Sequence, residues 1–361
     1  MLFQHFDFND KETAKKFRVD EKAHSVTWKH YYSSYTYCLR KIFSLCLTQN
    51  YAFNPKARAV MFILRHSLEL CYKYNLEREK ASIPLSHSFS ELETAFKKFE
   101  IPLKFTQITK QIAFDEDGAC YRYLQKKDGT SYFTYEDKIH LANIAETYSS
   151  ISSSGFSMDS IAKSFDYKNR RLQWDLTLHL GECHTLGQIR TQYDNTIELL
   201  IDGVILNNID INKIYLPLLY LVRHSLELAL KDNIIELQRG KVLSEKDINS
   251  EHSLVRLYNI YSKFLEALDK SQLPEETANQ LTLYQEQYKQ LNDTIHNLDT
   301  NSRYFRFPVD GDGKAYQINL KKLKLIEILK LYYLTDPFIT FTNYVLEDHG
   351  VIRLDWPPDP Y

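Results

Sequence analysis

The sequence feature that constrains the fold most is a six-residue string, Arg-His-Ser-Leu-Glu-Leu, which occurs twice. It stands at Arg65–Leu70 and again at Arg223–Leu228, 158 positions further along the chain. An apolar run precedes each string at the same offset, Ala59–Leu64 in the first case and Pro217–Val222 in the second. A string that recurs together with its flanking pattern indicates a repeated structural element rather than a chance match.

Further matches follow in the same order with wider offsets. The pair His87-Ser88 corresponds to His252-Ser253 at an offset of 165, and Tyr121–Tyr132 corresponds to Phe305–Tyr316 at an offset of 184. Offsets that only increase indicate the same elements in the same order, with longer connections in the second copy. We therefore interpret the chain as an internal duplication, and a repeat this long indicates two domains rather than a solenoid.

A Ser-rich run, Ser149–Ser160, separates the two copies. Runs of this composition usually form a solvated connector, so we place the domain boundary near residue 160. Residues 1–160 are then a first helical bundle with an N-terminal extension, and residues 161–361 are a second bundle with a C-terminal tail.

The composition favours helices, because only 10 Gly and 10 Pro occur in 361 residues and β structures with many tight turns need more. Apolar residues spaced three and four apart predict amphipathic helices in both copies. The predicted helices are Thr27–Gln49, Asn54–Glu77, Ser86–Glu100 and Tyr135–Ile151, followed by Thr185–Asn207, Asn212–Gln238, His252–Asp269, Pro274–His296 and Leu320–Tyr333. We expect an all-α fold of two tandem up-and-down bundles, each of four or five helices.

The repeated string carries a polar pattern of its own. In each copy an Arg, a Glu and a Lys stand four residues apart, so they share one helix face and the Glu can pair with a cation on either side. They are Arg65, Glu69 and Lys73 in the first copy, and Arg223, Glu227 and Lys231 in the second. One interpretation is an ion ladder along a partly buried seam between helices, and the other is a binding site for RNA or a nucleotide.

More repeated residues extend this pattern. His87 and His252 open the third helix of each copy, where a histidine either caps the helix or points across the bundle toward the Arg-Glu pair. Arg122 and Arg306 are flanked by aromatic residues, so each can stack while it binds a carboxylate or a phosphate. We define the interhelical polar cluster as Arg65, His66, Glu69, Lys73, His87 and Arg122 of the first copy with Arg223, His224, Glu227, Lys231 and His252 of the second.

The order of these motifs resembles the HEPN superfamily, the higher eukaryote and prokaryote nucleotide-binding helical bundles. The motifs of the second copy are H-S-L-E-L-x-L-K at His224–Lys231, H-S-L-x-x-L at His252–Leu257 and R-F-P-x-D-G-D-G at Arg306–Gly313, followed by an amphipathic helix. The first copy is similar through His66–Lys73, His87–Leu92 and Tyr121–Gly129. The likeness covers most of both halves of the chain.

The resemblance implies a function class. Many HEPN proteins are metal-independent ribonucleases of phage-defence, antiviral or toxin–antitoxin systems, with an Arg and a following His separated by four to six residues. The Arg stabilises charge at phosphorus, and the His is acid or base while a ribose 2′-hydroxyl attacks. The resemblance further implies RNA or a nucleotide as ligand and a cognate antitoxin or defence-system partner. It also implies a homodimer, and neither a metal nor a cofactor.

The chain departs from that signature. Arg18 and His24 have the expected spacing but lie before the first bundle, and in the second copy the nearest equivalent is Asn292–His296, in which a neutral Asn replaces the expected Arg. If the site is rearranged, the candidate catalytic residues are His296 and Asn292 with Arg303 and Arg306. Two hypotheses follow: a metal-independent ribonuclease of phage defence or a toxin–antitoxin system, and a non-catalytic HEPN module that binds a nucleotide, an RNA or a partner protein.

Charge and cysteine content restrict the possible ligands of the chain and its cellular compartment. The net charge of −2 gives no general attraction to nucleic acid, so any such contact needs a local basic patch. Five cysteines without a CxxC spacing are typical of buried free thiols in a reducing compartment. His179, Cys183 and His184 lack a fourth zinc ligand, so no metal site is predicted. No signal-peptide pattern and no bilayer-length apolar run occur, which predicts a cytoplasmic protein without membrane contact.

Overall fold

The structure, a computed structural model, describes most of the chain. The described residues are 7–8, 10–20, 25–49, 51–141, 144, 151–158, 176–244, 248–300, 302–316 and 323–354. The chain forms two compact units. The first unit is Met1–Leu221 with Tyr304–Leu323, and the second unit is Val222–Arg303 with Lys324–Tyr361.

Helices make up most of the first unit. They are α1 (Lys11–Lys16), α2 (Trp28–Thr48), α3 (Ala57–Arg78, after a 3-10 turn at Asn54–Lys56), α4 (Phe89–Ala95), α5 (Leu103–Ile112) and α6 (Leu186–Ile205). Two short antiparallel strand pairs accompany them, β1 (Lys138–His140) with β4 (Thr177–His179) and β2 (Ile151–Ser153) with β3 (Phe156–Met158). The core surrounds α3, in which every residue from Ala57 to Lys73 is buried. Helix α3 packs against α2, α4, α5 and α6.

The second unit is helical as well. Helix α7 (Ile211–Arg239) begins in the first unit and continues into the second. The other helices of the second unit are α8 (Leu254–Ala267), α9 (Glu275–Leu298), α10 (Leu325–Leu334) and α11 (Asp336–Asp348). Helix α9 packs against α8, α10 and α11, and the α7 residues from Val222 to Lys231 are all buried.

Repeated residues begin corresponding helices of the two copies. The Thr27 hydroxyl accepts a hydrogen bond from the His30 amide at the start of α2, and Thr185 caps α6, 158 positions later, in a capping box with Gln188. Ser88 caps α4 and Ser253 caps α8, each directly after the repeated histidine. The capping residues therefore leave both histidine side chains available for contacts with other helices.

The all-α class is confirmed, and most predicted helices occur within a few residues of their expected bounds. The connector predicted at Ser149–Ser160 is wrong for residues 151–158, which form the β2–β3 hairpin. Its Phe156 is buried against the rings of Tyr72, Phe96 and Phe105, so packing outweighs the polar composition. The helix predicted at Tyr135–Ile151 is wrong at β1, and its residues 142–143 and 145–150 lie outside the described residues.

The predicted domain boundary near residue 160 also falls outside the described residues, because 159–175 are not among them. It marks the change from one sequence copy to the other and stays a prediction. Within the described ranges, none of the helices combines the length and apolar character that a membrane span requires.

Candidate functional site

In the first unit, Glu69 is the centre of the polar cluster. The Glu69 carboxylate lies 2.9 Å from the Lys73 ammonium, 2.8 Å from His87 Nδ1 and 3.5 Å from Arg65 Nη1. The same guanidinium donates through Nη2 to the carbonyl oxygen of His87 at 3.1 Å. Helix α3 and the segment that leads into α4 are thus linked through one buried carboxylate and one buried guanidinium.

Glu227 has the same partners in the second unit. Its carboxylate lies 3.1 Å from the Lys231 ammonium, 3.1 Å from Arg223 Nη1 and 2.9 Å from His252 Nδ1. Arg223 Nη2 donates to the carbonyl oxygen of His252 at 2.7 Å. The two RHSLEL strings are therefore both helical and both lie in corresponding polar surroundings. Each histidine points across to the carboxylate, as one of the two sequence interpretations predicted.

A second acidic residue completes each cluster, and the sequence reasoning missed it. Arg65 Nε lies 3.5 Å from Asp115, and Arg223 Nε lies 3.7 Å from Asp299. The two aspartates are 184 positions apart, which is the offset that relates Arg122 to Arg306. Extending that register seven residues toward the N-terminus would have identified them.

The buried carboxylates are ionised. Burial opposes ionisation of Glu69, but the Lys73 ammonium and His87 outweigh it and hold the pKa well below its usual range. For Glu227, burial is likewise outweighed by Lys231 and His252, so its pKa is also well below normal. An ionised carboxylate can only accept, so Nδ1 of each histidine donates. The side chain of His252 is 43% exposed and that of His87 is 23% exposed.

A small cavity adjoins the cluster of the first unit. It is lined by Phe62, Arg65, His66, Glu69, His87, Asp117, Gly118 and Arg306. Its volume of about 10 Å³ is room for a single water molecule and excludes a nucleotide.

His66 and Arg306 meet at this cavity. His66 Nε2 donates to the carbonyl oxygen of Arg306 at 3.0 Å. Burial lowers the pKa of His66 to about 4, although Glu69 acts in the opposite direction. The Arg306 guanidinium lies 5.5 Å from the ring centre of Tyr220 and 5.2 Å from that of Phe307, and the residue is 8% exposed. The predicted stacking of Arg306 on aromatic rings is confirmed.

The other three candidate catalytic residues belong to the second unit. Asn292 and His296 lie one turn apart on α9, and Arg303 follows that helix. Asn292 is fully buried, and neither atom of its amide has a hydrogen-bond partner among the described residues; the same holds for Nδ1 of His296. The backbone amide of Arg303 donates to Asp299 at 2.9 Å. Arg306 belongs to the first unit, so the four residues are divided between the units.

Two hairpin turns of the first unit also correspond. Bridges join Gln125 to Ser131 and Val309 to Ala315, again 184 positions apart. Both turns contain a glycine in the left-handed region, Gly129 at φ +83° and Gly313 at φ +80°. Glycine adopts this conformation without the steric cost that a Cβ brings.

Just before each turn, the backbone accepts a hydrogen bond from a tyrosine on a helix of the other sequence copy. Tyr35 of α2 donates to the carbonyl oxygen of Phe305 at 3.1 Å, and Tyr193 of α6 donates to that of Tyr121 at 3.3 Å. The tyrosines are 158 positions apart and their acceptors 184. Phe62 and Tyr220, also 158 positions apart, stack on each other with ring centres 4.5 Å apart. This reciprocity has the form of an isologous contact around a local two-fold axis.

Gly118 supports the position of Arg65, so its substitution tests the cluster. Gly118 has φ +73°, and a Cβ there would lie 2.6 Å from Arg65 Nη1. We expect Gly118→Ala to lower the free energy of unfolding by about 2 kcal/mol, through left-handed strain and a displaced guanidinium. Gly129→Ala is the matched control, because φ is +83° and the space around it is open. It should cost about 1 kcal/mol. Equal losses in urea unfolding would show that Arg65 tolerates displacement.

Comparisons of the chain with protein-family models, with curated proteins and with solved structures give no match. The five cysteines are buried and free, as predicted. His179 lies 3.2 Å from Glu182. Within the ranges that the structure covers, no three His, Cys, Asp or Glu side chains converge as metal ligands.

Proposed function

We propose that the chain is a tandem HEPN-like module without ribonuclease activity, which binds a nucleotide, an RNA or a partner protein. The observation that carries the proposal is the burial of the arginines. Arg223 is 0%, Arg65 3% and Arg306 8% exposed, and each contacts carboxylates, carbonyl oxygens or rings of its own unit. A guanidinium stabilises a phosphoryl transition state only where it reaches the phosphate, and these positions leave no room for one.

The reciprocal turns support the tandem arrangement that the proposal includes. A duplication predicts that equivalent residues make equivalent contacts, and the polar clusters, the capping residues and the turns all do so. The Phe62–Tyr220 stack fills the contact between the copies with aromatic rings. In a HEPN ribonuclease we would expect an open cleft at such a contact. A cognate antitoxin, a defence-system partner and a homodimer stay predictions of the resemblance.

One observation favours the ribonuclease as a second candidate. Asn292 and His296 present polar atoms without hydrogen-bond partners among the described residues, and they lie on the same face of α9. Buried polar atoms without a partner are uncommon and often mark a functional site. These two residues form the stretch that stands where the HEPN signature is expected.

A cleavage assay tests the proposal. Purified protein is incubated with total RNA in the presence of EDTA, alongside His296→Ala and Arg306→Ala. We expect no cleavage above the buffer control from any of the three proteins, because Arg65, Arg223 and Arg306 are too buried to reach a bound phosphate. Circular dichroism confirms that each variant is folded.

The matched controls are His349→Ala and Arg256→Ala, since both residues are exposed on the second unit. Cleavage by the wild type that His296→Ala abolishes and His349→Ala leaves intact would replace the proposal with the ribonuclease.

A further inference from the structure

A groove on the first unit lies apart from the polar clusters. Helix α2 contributes His30, Tyr37 and Arg40, and the segment that begins α7 contributes Asp210, Asn212 and Lys213. Its volume is about 530 Å³, which is within the range of small-molecule binding sites. The cavity beside Glu69 is about fifty times smaller, so this groove has room for a ligand of nucleotide size.

Three cations lie within 6 Å of the centre of one aromatic ring of this groove, and two of them, Arg40 and Lys213, line it. The centre of the Tyr37 ring lies 5.2 Å from the Lys213 ammonium, 5.5 Å from that of Lys41 and 5.9 Å from the Arg40 guanidinium. Among the described residues, no carboxylate pairs with Arg40 or Lys41, and Asp210 is 3.8 Å from Lys213. Of the three cations, Arg40 and Lys213 line the groove, and an anion bound beside the Tyr37 ring would be attracted by both. The cluster stands out in a chain whose net charge is −2.

The repeated architecture does not require these cations. At the offset of 158 that relates α2 to α6, Arg40 and Lys41 correspond to Glu198 and Leu199. Tyr37 corresponds to Asn195 at the same offset. The second copy therefore builds its equivalent helix without the positive charges. The packing that the two helices share therefore does not account for Tyr37, Arg40 and Lys41.

The remainder of the groove presents polar groups in fixed positions. The Asn212 amide accepts from the backbone amide of Asp20 at 2.7 Å and donates to Asp210 at 3.2 Å. His30 Nε2 lies 3.3 Å from the hydroxyl of Tyr215, which is on α7. Polar groups held in place before a ligand arrives lose little entropy on binding. A carboxylate, an amide and an imidazole together suit ribose hydroxyls and the edge of a base.

We propose that this groove binds a nucleoside phosphate, with the phosphate between Arg40 and Lys213 and the nucleoside toward Asp20, His30 and Asn212. The inference rests on the proposed function, because it names the ligand of the binding module. A free nucleotide and an unpaired RNA segment share this chemistry, and the experiment separates them.

Isothermal titration of the full chain provides the test, with AMP, ATP, adenosine, inorganic phosphate and a short single-stranded RNA as probes. We expect ATP or the RNA to bind most tightly, and adenosine at least tenfold more weakly than AMP. The variant Arg40→Gln with Lys213→Gln should weaken AMP binding by at least about tenfold, because each charged hydrogen bond contributes on that order. Arg256→Gln with Lys263→Gln removes the same charges from exposed positions on the second unit and should leave binding unchanged.

The outcomes separate the site from the function. If the double variant binds AMP or RNA as tightly as the wild type, the groove is wrong and the binding function stands. If no probe binds, or inorganic phosphate binds as well as AMP, the nucleoside phosphate assignment is overturned. Cleavage of the RNA would overturn the proposed function instead. RNA that binds more tightly than ATP, with the same loss in the double variant, supports RNA as the natural occupant.

Discussion

Replacement of Glu227 by alanine is expected to lower the free energy of unfolding of the second unit by about 3–5 kcal/mol. The substitution removes a buried carboxylate that lies 3.1 Å from both Arg223 and Lys231, while both cations stay buried at 0% and 1% exposure. An uncompensated buried charge costs far more than the ion pair contributes, which is why removal of one partner has so large an effect. Urea unfolding would measure the loss of free energy, and hydrogen exchange of the backbone amides of α7 and α8 would locate it.

Two comparisons make this expectation specific. Glu286→Ala removes an exposed carboxylate from α9 and should change the free energy of unfolding by less than about 0.5 kcal/mol. Combining Arg223→Met, Glu227→Leu, Lys231→Met and Asp299→Asn removes the buried charges together, so it should cost less than Glu227→Ala alone. A loss below about 1 kcal/mol for Glu227→Ala would mean that water enters and solvates the two cations.

The first unit offers the same experiment at Glu69. Its carboxylate has the same three kinds of partner within 3.5 Å, and it is 1% exposed. We therefore expect Glu69→Ala to destabilise α3 and α4 as strongly as Glu227→Ala destabilises α7 and α8. The matching contacts of the two clusters predict equal effects, and unequal ones would show that the two units depend on their clusters differently.

The helical class could be predicted from the sequence because helix faces are periodic and caps are local. Thr27, Ser88 and Ser253 act within three residues of themselves, so short-range chemistry determines where their helices begin. The β2–β3 hairpin could not be predicted in this way. Its polar composition is typical of a connector, and the long-range packing of Phe156 is what orders the hairpin.

The candidate site was predictable only in part. The pairing of Glu69 with Lys73 and of Glu227 with Lys231 follows from helical spacing, because residues four apart lie on the same helix face. The aspartates at 115 and 299 were missed, since no helical or strand period relates them to the arginines they approach. The groove at Tyr37 was missed for a similar reason. Lys213 comes from a distant part of the chain, and sequence order does not show that it joins Arg40 and Lys41.

Lowering the pH is expected to destabilise the first unit from about pH 6.5 downward, well above the pH range in which carboxylates titrate. His66 is 3% exposed, and burial lowers its folded pKa from 6.5 to about 4. Above pH 6.5 the imidazole is neutral in both states and contributes no pH dependence. Between pH 6.5 and 4 only the unfolded chain takes up the proton, so stability falls by about 1.4 kcal/mol per pH unit and by about 3 kcal/mol at pH 4.

The carboxylates act later in the same titration. The folded pKa of Glu69 is well below its normal value, so its stabilisation is complete above the unfolded pKa of 4.5 and is lost as the pH falls further. Urea unfolding at pH 7.5, 6.0 and 5.0 therefore isolates the histidine. His66→Phe should flatten the profile across that range while costing about 1–3 kcal/mol at pH 7.5, because the Arg306 carbonyl loses its donor. His349→Gln, at an exposed position, should keep the wild-type slope. If His66→Phe retains that slope, the imidazole titrates through an opening to solvent, and the core around Arg306 is less closed than its burial indicates.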